Sequence, residues 1–417
     1  MEDNVKKNFQ EALAAAPDFK SLPFPEDEFS SRLQRLRKEM QAQKIDLLFL
    51  SSPESIFYLT GFQCEWYQAQ SGRAFPPTSG LAVSADREGF IHFETPSEAI
   101  LSHVSTVSKD IRIFPLDARR DGQTFILQEL RAAGMLKGKV GLERYSYRPN
   151  PVISDKYVAA FEGAGLEVVD ATDLLRKLRR TKSPLEMQCV EEASRIADIG
   201  MKAAMAAIRP GVTELEVFGE MIAAMTKAGG EFPGILPPVM SGFRANCSHP
   251  IASRRVIQKG ERVNVDVSGV YNRYHSNICR GFYVGEPPKA VLDFHNRSVG
   301  VFKLIEEMIR PGMEVQSLLK AVTDYYKDEG LLEESYWSGG YELGIAFPPD
   351  WVGAFIYDNS ITKPGETFDP MTVVNHECVF FGPQKSGLAF TIETLIFNQS
   401  KGRIASKFPR ELQILAA

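Results

Sequence analysis

The sequence predicts two domains, an α/β domain over residues 1–180 and an α+β domain over residues 181–417 that contains an internal duplication. Three observations carry this reading. At 417 residues the chain exceeds the roughly 250–300 residues at which one hydrophobic core stops growing. Helical and strand periodicities alternate over residues 31–180. A helix-start signal at Ser183 opens the second half, and a short motif within that half recurs 101 residues later.

In chain order, residues 31–43 form an amphipathic helical pattern, 46–50 (DLLFL) a short buried strand, and 88–93 another. Residues 140–143 and 166–169 read as two more strands, each leading toward helical sequence. Ser183-Pro184-Leu185-Glu186 is a capping box with proline at the first helical position. Met187, Val190, Ile196, Ile199 and Ala203 then recur at near-helical spacing until Arg209-Pro210-Gly211 ends the run. Ile208-Arg209-Pro210-Gly211-Val212 returns as Ile309-Arg310-Pro311-Gly312-Met313. The first copy enters a second capping box, Thr213 to Glu216, and a helix over 217–227; the second enters a helix over 315–329. Two copies at that offset suggest a duplicated αα plus β unit, against a plain reading as Pro-Gly helix connections, which are common.

Hydrophobic residues make up 44% and charged residues 24%, which excludes disordered and collagen-like classes. The net charge of −5 has no basic block behind it, and residues 176–180 (RKLRR) read as a solvated face before a helix, so no nucleic-acid partner is expected. Cys64, Cys189, Cys247, Cys279 and Cys378 show no CxxC or zinc spacing, which suits a reducing compartment. No apolar stretch approaches the ~18 residues of a membrane span, and residues 1–16 are a charged amphipathic pattern rather than a signal peptide. The expectation is a cytoplasmic protein without a membrane partner.

Residues 262–269 (RVNVDVSG), 371–380 (MTVVNHECVF) and 388–397 (LAFTIETLIF) are apolar strand patterns, each interrupted by a carboxylate: Asp266, Glu377 and Glu393. Any one of them reads as a strand residue pointing to solvent. A carboxylate facing a sheet core must be paired, hydrogen-bonded or bound to something, and three at strand centres point to a site.

With these elements in order, the chain resembles the creatinase and aminopeptidase P family, whose pita-bread fold is shared by methionine aminopeptidase, prolidase, creatinase and ectoine hydrolase. The resemblance covers the N-terminal α/β domain, the junction Lys182-Ser183-Pro184-Leu185-Glu186, the segment Arg195-Ile196-Ala197-Asp198 and the duplicated domain. It implies a creatinase-like first domain and a pita-bread second one. Metal-using members carry Asp, a second Asp eleven residues later, His, Glu and Glu; the matching positions here hold Asp266, Asn277, Tyr341, Glu377 and Glu393. Asn277 replaces a bridging carboxylate with a neutral amide, and Tyr341 replaces the nitrogen ligand, so the resemblance implies a site with no metal and no cofactor. Glu377 lies one residue farther from Met371 than the metal-using pattern expects, which leaves His376 as an alternative occupant. Residues 273–280 (RYHSNICR), Gly340 to Ile345, Pro348-Pro349-Asp350-Trp351 and Pro409-Arg410-Glu411-Leu412 are similar to ectoine hydrolase, as is tyrosine at the histidine position. Ectoine hydrolase carries Glu where this chain has Asp266 and no carboxylate where Glu377 sits, which allows a different substrate.

The resemblance assigns proton transfer at the scissile nitrogen to His249, within residues 241–250 (SGFRANCSHP). Imidazole, with an ordinary pKa near 6.5, suits that task; a lone histidine is otherwise structural, and His92, His103 and His295 are read that way. Arg73 stands where creatinase-like relatives present a Gly-Arg, just after Phe62, Trp66 and Tyr67. Arginine clamps a carboxylate and aromatic faces suit a delocalised cation, so these residues predict a small zwitterionic or amidine-type ligand, against a plain reading as a loop packed on its own domain. Arg280, Trp351 and Asn277 complete the expected pocket.

The expected activity is metal-independent hydrolysis of a non-peptide C–N bond in a small polar metabolite. Asp266, Glu377 or Glu393 would activate water, His249 would protonate the leaving nitrogen and Tyr341 would bind the oxyanion. Two alternatives stand beside it: a metal-dependent Xaa-Pro dipeptidase or lyase of the same fold, and an inactive pita-bread binding module. The resembling metal-free enzymes close the N-terminal domain of one subunit over the partner's active site, which implies a homodimer.

Overall fold

A computed structural model of the chain describes residues 2–15, 20–65, 79–115 and 121–417. It forms two compact units, residues 1–179 and 180–417.

The first unit is built on a six-stranded sheet of β1 (Leu47–Leu50), β2 (Gly80–Ser84), β3 (Ile91–Glu94), β4 (Asp110–Ile113), β5 (Lys139–Leu142) and β6 (Glu167–Asp170), in the order β4-β3-β2-β1-β5-β6. β1, the apolar run read from the sequence, lies between β2 and β5 with all four residues buried. Helices Gly122–Ala132 and Pro151–Gly163 supply Ile126, Leu130, Ile153 and Phe161 to the same core. The β5 to β6 connection is parallel and carries a helix between its strands, the arrangement that alternating periodicities predict.

The second unit opens with the helix Pro184–Ala207, whose capping box is formed: the Ser183 side chain accepts from the Glu186 N–H while the Glu186 carboxylate accepts from the Ser183 N–H. This helix packs against Glu214–Lys227, where Gly200 permits close approach, since a Cβ there would lie 2.7 Å from Met225. Lys289–Met308 and Val315–Asp328 form the second helix pair.

The duplication read from the sequence is structural. In each copy the Pro-Gly turn puts glycine in the left-handed region (Gly211 φ 91°, Gly312 φ 79°). Gly211 N–H donates to Ile257 C=O, and Ile257 N–H returns a bond to Val212 C=O. Gly312 and Phe368 repeat this, with Phe368 N–H returning to Met313 C=O. Two equivalent halves thus carry one nine-stranded sheet, containing β7 (Val239–Ser241), β8 (Arg262–Val267), β11 (Ile278–Val284), β12 (Ser335–Tyr341), β13 (Ile356–Asp358), β14 (Thr372–Phe381), β15 (Leu388–Phe397), β16 (Gly402–Ile404) and β17 (Gln413–Leu415). A small ribbon of β9 (Val270–Tyr271) and β10 (Tyr274–His275) stands apart.

Alternation along the strands decides what faces the helices. Val263, Val265, Val267, Ile278, Phe282 and Val284 pack with the first helix pair. Val374, Cys378, Phe380, Leu395 and Phe397 pack with the second. The residues between them point to the other face, away from the two helix pairs. Among the described residues no helix is long and apolar enough to cross a membrane.

Candidate active site

Strand register assembles the site on the face turned away from the two helix pairs. Asp266 is opposite Cys279, Cys279 is opposite Ile392, and Ile392 is opposite Glu377. Side chains opposite one another in a ladder share a face, so Asp266 and Glu377 project from the same side of the sheet. Asn277 and Asn375, each two residues along its strand from a member of this row, project there too.

The two carboxylates are joined through the two amides. Asn277 Nδ2 donates to Asp266 Oδ1 at 2.7 Å and also faces the Val267 carbonyl at 3.3 Å. Asn375 Nδ2 donates to Asn277 Oδ1 at 3.1 Å and to Glu377 Oε1 at 2.8 Å. The direction of the chain is fixed at both ends by backbone groups, because Asn375 Oδ1 accepts from the Tyr341 N–H at 2.8 Å and the Val267 carbonyl can only accept. Thr394 Oγ1 closes on the backbone N–H and C=O of Asn277. All four residues of the chain are buried.

Burial sets the protonation. It pushes the Asp266 carboxyl up to about 7 against the Asn277 hydrogen bond. Burial, then the neighbouring Asp266 charge, pushes Glu377 up to about 8, opposed by hydrogen bonds from Asn375 and Tyr341. Near neutral pH the pair therefore holds protons that ordinary carboxylates release. Tyr341 reaches Glu377 with its hydroxyl and accepts from Trp351 Nε1–H at 3.0 Å. Its own pKa is raised well above the usual value by burial and by the Glu377 and Asp266 charges, so it stays a donor.

Glu393 and Arg280, expected in this pocket, lie on the opposite face. The residue opposite Glu393 is His376, not Glu377, and both turn toward the helix Lys289–Met308, where Phe302 meets the His376 ring edge-on at 6.2 Å. Glu393 Oε1 is held there by Arg280 Nη2 and Arg410 Nε, each at 2.6 Å. Arg280 also reaches the backbone of Phe408 and Pro409, tying the C-terminal segment beneath the sheet. The choice between His376 and Glu377 thus falls to Glu377 as the one facing the site, and burial lowers His376 to about 3, keeping it neutral.

Comparison with known proteins fits this architecture. Residues 188–398 match metallopeptidase family M24 and residues 32–181 match the creatinase/prolidase N-terminal domain. The chain belongs to metallopeptidase family M24. As a member it is a hydrolase acting on C–N bonds. Its similarity to the ectoine hydrolase of Halomonas elongata is 26% identity over 94% of this chain and 98% of that one. The Xaa-Pro dipeptidase of Pyrococcus furiosus is 23% identical over 91% of this chain and 99% of its own length. Among solved structures, an Xaa-Pro dipeptidase from Bacillus anthracis superposes with TM-score 0.75 at 23% identity, covering 93% and 100% of the two chains, which establishes the shared fold.

The M24 family name implies a metal, and the donors here decide whether one fits. A dinuclear centre needs bridging carboxylates and accepts only lone pairs. Here the amide hydrogens of Asn277 point at Asp266 Oδ1, and those of Asn375 at Glu377 Oε1, so N–H groups occupy the oxygens a metal would take. Tyr341 offers a hydroxyl beside Glu377, and Glu393 faces away. Among the described residues no group of three or more His, Cys, Asp or Glu is arranged to hold a metal ion. These residues do not fit a two-metal site.

The remaining expected residues are scattered. His249 is exposed and makes no hydrogen bond or ion pair among the described residues. Its loop nevertheless belongs to the site's surroundings, since Ala245 packs with Cys279 and Ile392 of the reaction face. Phe62 is buried in the first unit, edge-on to His92 with ring centroids 5.2 Å apart, and not free for a ligand. Trp66, Tyr67 and Arg73 lie outside the described residues. Asn375 escaped sequence reasoning, although its position two residues before Glu377 on one strand was a usable signal.

Proposed function

We propose that this M24 chain is a metal-independent hydrolase that cleaves an amidine- or amide-type C–N bond in a small polar or zwitterionic metabolite. The observation that carries the proposal is the amide bridge between Asp266 and Glu377, which fills with N–H donors the place where metal-using relatives need bare carboxylates. Asp266, ionised while its partner in the pair keeps a proton, takes a proton from water as the water oxygen bonds to the substrate carbon. Glu377, kept protonated, donates to the oxygen or nitrogen on which negative charge develops, or Tyr341 does so by turning its hydroxyl from Glu377 to the substrate, a use of neutral donors that burial makes available. His249 gives its proton to the leaving nitrogen as the C–N bond breaks. The proposal includes a homodimer in which Arg73 of a second copy reaches the substrate, and a cytoplasmic location.

A panel of cyclic amidines, guanidino acids, N-acyl amino acids and Xaa-Pro dipeptides, offered to metal-stripped protein, tests the reading. Product release from one of the first three classes is expected. Turnover of Xaa-Pro dipeptides only after added Mn, Co or Zn would establish the second reading, a metal-dependent dipeptidase, which the likeness to the Pyrococcus furiosus enzyme keeps open.

A further inference from the structure

The loop that carries His249 is anchored at both ends by one carboxylate that neither the reaction nor its own helix requires. Glu214 opens the helix Glu214–Lys227 and is fully buried. That helix is already capped by Thr213 and Glu216, so the Glu214 charge serves something else. Its Oε1 accepts from the Ser241 N–H at 2.9 Å and the Ser241 hydroxyl at 2.8 Å. Its Oε2 accepts from the Ser253 N–H at 3.0 Å and the Ser253 hydroxyl at 2.6 Å, with Arg244 Nε 3.2 Å away. Arg255 braces the same stem, donating to Ser241 Oγ at 2.8 Å while pairing with Glu261.

Between the two serines the loop runs 242–252. Its inner residue Ala245 is fully buried against Cys279 and Ile392, whereas Phe243 and Ile251 are 84% and 63% exposed. The loop leaves the sheet beside Asp266, whose backbone N–H donates to Pro238 C=O three residues before Ser241. Burying a carboxylate is costly unless its lone pairs are filled. A residue that meets that cost with four bonds to two points twelve residues apart fixes their separation.

We propose that Glu214 is a positioning residue, which sets the span of the 242–252 loop so that His249 meets the substrate held over Asp266 and Glu377. The inference rests on the proposed role of His249. Glu214→Gln keeps the shape but leaves only one accepting oxygen, so one serine loses its acceptor and faces an amide N–H. Ser253→Ala removes one bond and serves as the milder variant.

Two measurements on the full-length protein decide the matter. Amide hydrogen exchange over 241–256 is read without substrate and is expected to rise about tenfold in Glu214→Gln, with the rest of the second unit unchanged. Turnover of the substrate found in the panel is expected to fall about ten- to a hundredfold in kcat with KM within about threefold, and Glu214→Gln is expected to add no further loss in a His249→Ala background. Losses that multiply, or exchange that stays at the wild-type rate in both variants, overturn the positioning role. His249→Ala with wild-type turnover would instead remove His249 from the mechanism, a failure of the proposed function that is seen separately from the exchange result.

Discussion

Glu377 and Glu393 sit on neighbouring, hydrogen-bonded strands but face opposite sides of the sheet, because the residue paired with Glu393 is His376. One residue of offset in a two-residue period reverses the side on which a side chain emerges. The two glutamates therefore have unrelated jobs: one joins the buried acid pair, and the other neutralises Arg280 and Arg410 under the helices.

Removing Glu393 tests the structural job. Glu393→Ala leaves Arg280 buried without its counter-charge, which is expected to cost about 3–5 kcal/mol of stability, seen as a lower urea midpoint. At a temperature where the variant is folded, kcat is expected to stay within a few-fold of wild type, since the side chain lies behind the reaction face. A hundredfold loss of kcat in folded protein would return Glu393 to the site.

Asn375 is tested by Asn375→Ala. The substitution strands the Tyr341 N–H and the Asn277 carbonyl, each a buried group whose lost partner costs about 1–3 kcal/mol, and frees Glu377 from one of its donors. The Glu377 carboxyl should then rise further, because that bond holds it down. Steady-state kinetics should show kcat reduced about tenfold or more, and an unchanged pH profile would count against the bridge.

The acid pair also predicts a pH dependence with a definite sign. Asp266 at about 7 and Glu377 at about 8 lie above the unfolded values near 4, so the folded state binds more protons across that window. Stability contributed by these groups is full below about pH 4 and is lost as pH rises through 7 and 8. Asp266→Asn should gain on wild type by on the order of 1–3 kcal/mol between pH 5 and pH 8.5 in denaturant titrations. The wild-type kcat should follow a bell whose two limbs are the two ionisations of the coupled pair, in the window of about 7 to about 8 that burial gives it. A stability gap that is flat across the range would show that Asp266 is not buried as described.

Metal analysis separates the two functional readings. Purified protein is expected to hold far less than one transition-metal ion per chain, with turnover unchanged by a strong chelator. Stoichiometric metal with chelator-sensitive activity would overturn the metal-free reading.

The proposed homodimer predicts complementation. An Arg73→Ala chain mixed with a His249→Ala chain should recover activity that each lacks alone, because one of the two sites in a mixed dimer inherits both intact residues. A monomeric elution with full activity would dispose of the idea.

The sequence by itself determined what depends on neighbours along the chain. Both capping boxes, the helix periods and the Pro-Gly turns are interactions over a few residues, and they formed where Ser183, Thr213, Gly211 and Gly312 indicated. The neutral side chains Asn277 and Tyr341, which the family resemblance sets at metal-ligand positions, were readable in the same way. Tertiary structure decided which side chains share a face, since that follows from the pairing of strands distant in sequence. It set Glu377 with Asp266, sent Glu393 and Arg280 behind the sheet, and brought in Asn375, whose amide gains meaning only between partners 98 residues away and two residues away. Strand register is fixed by non-local hydrogen bonds, and a two-residue alternation turns each one-residue choice of register into a choice between the buried acid pair on one face and the buried ion pair on the other.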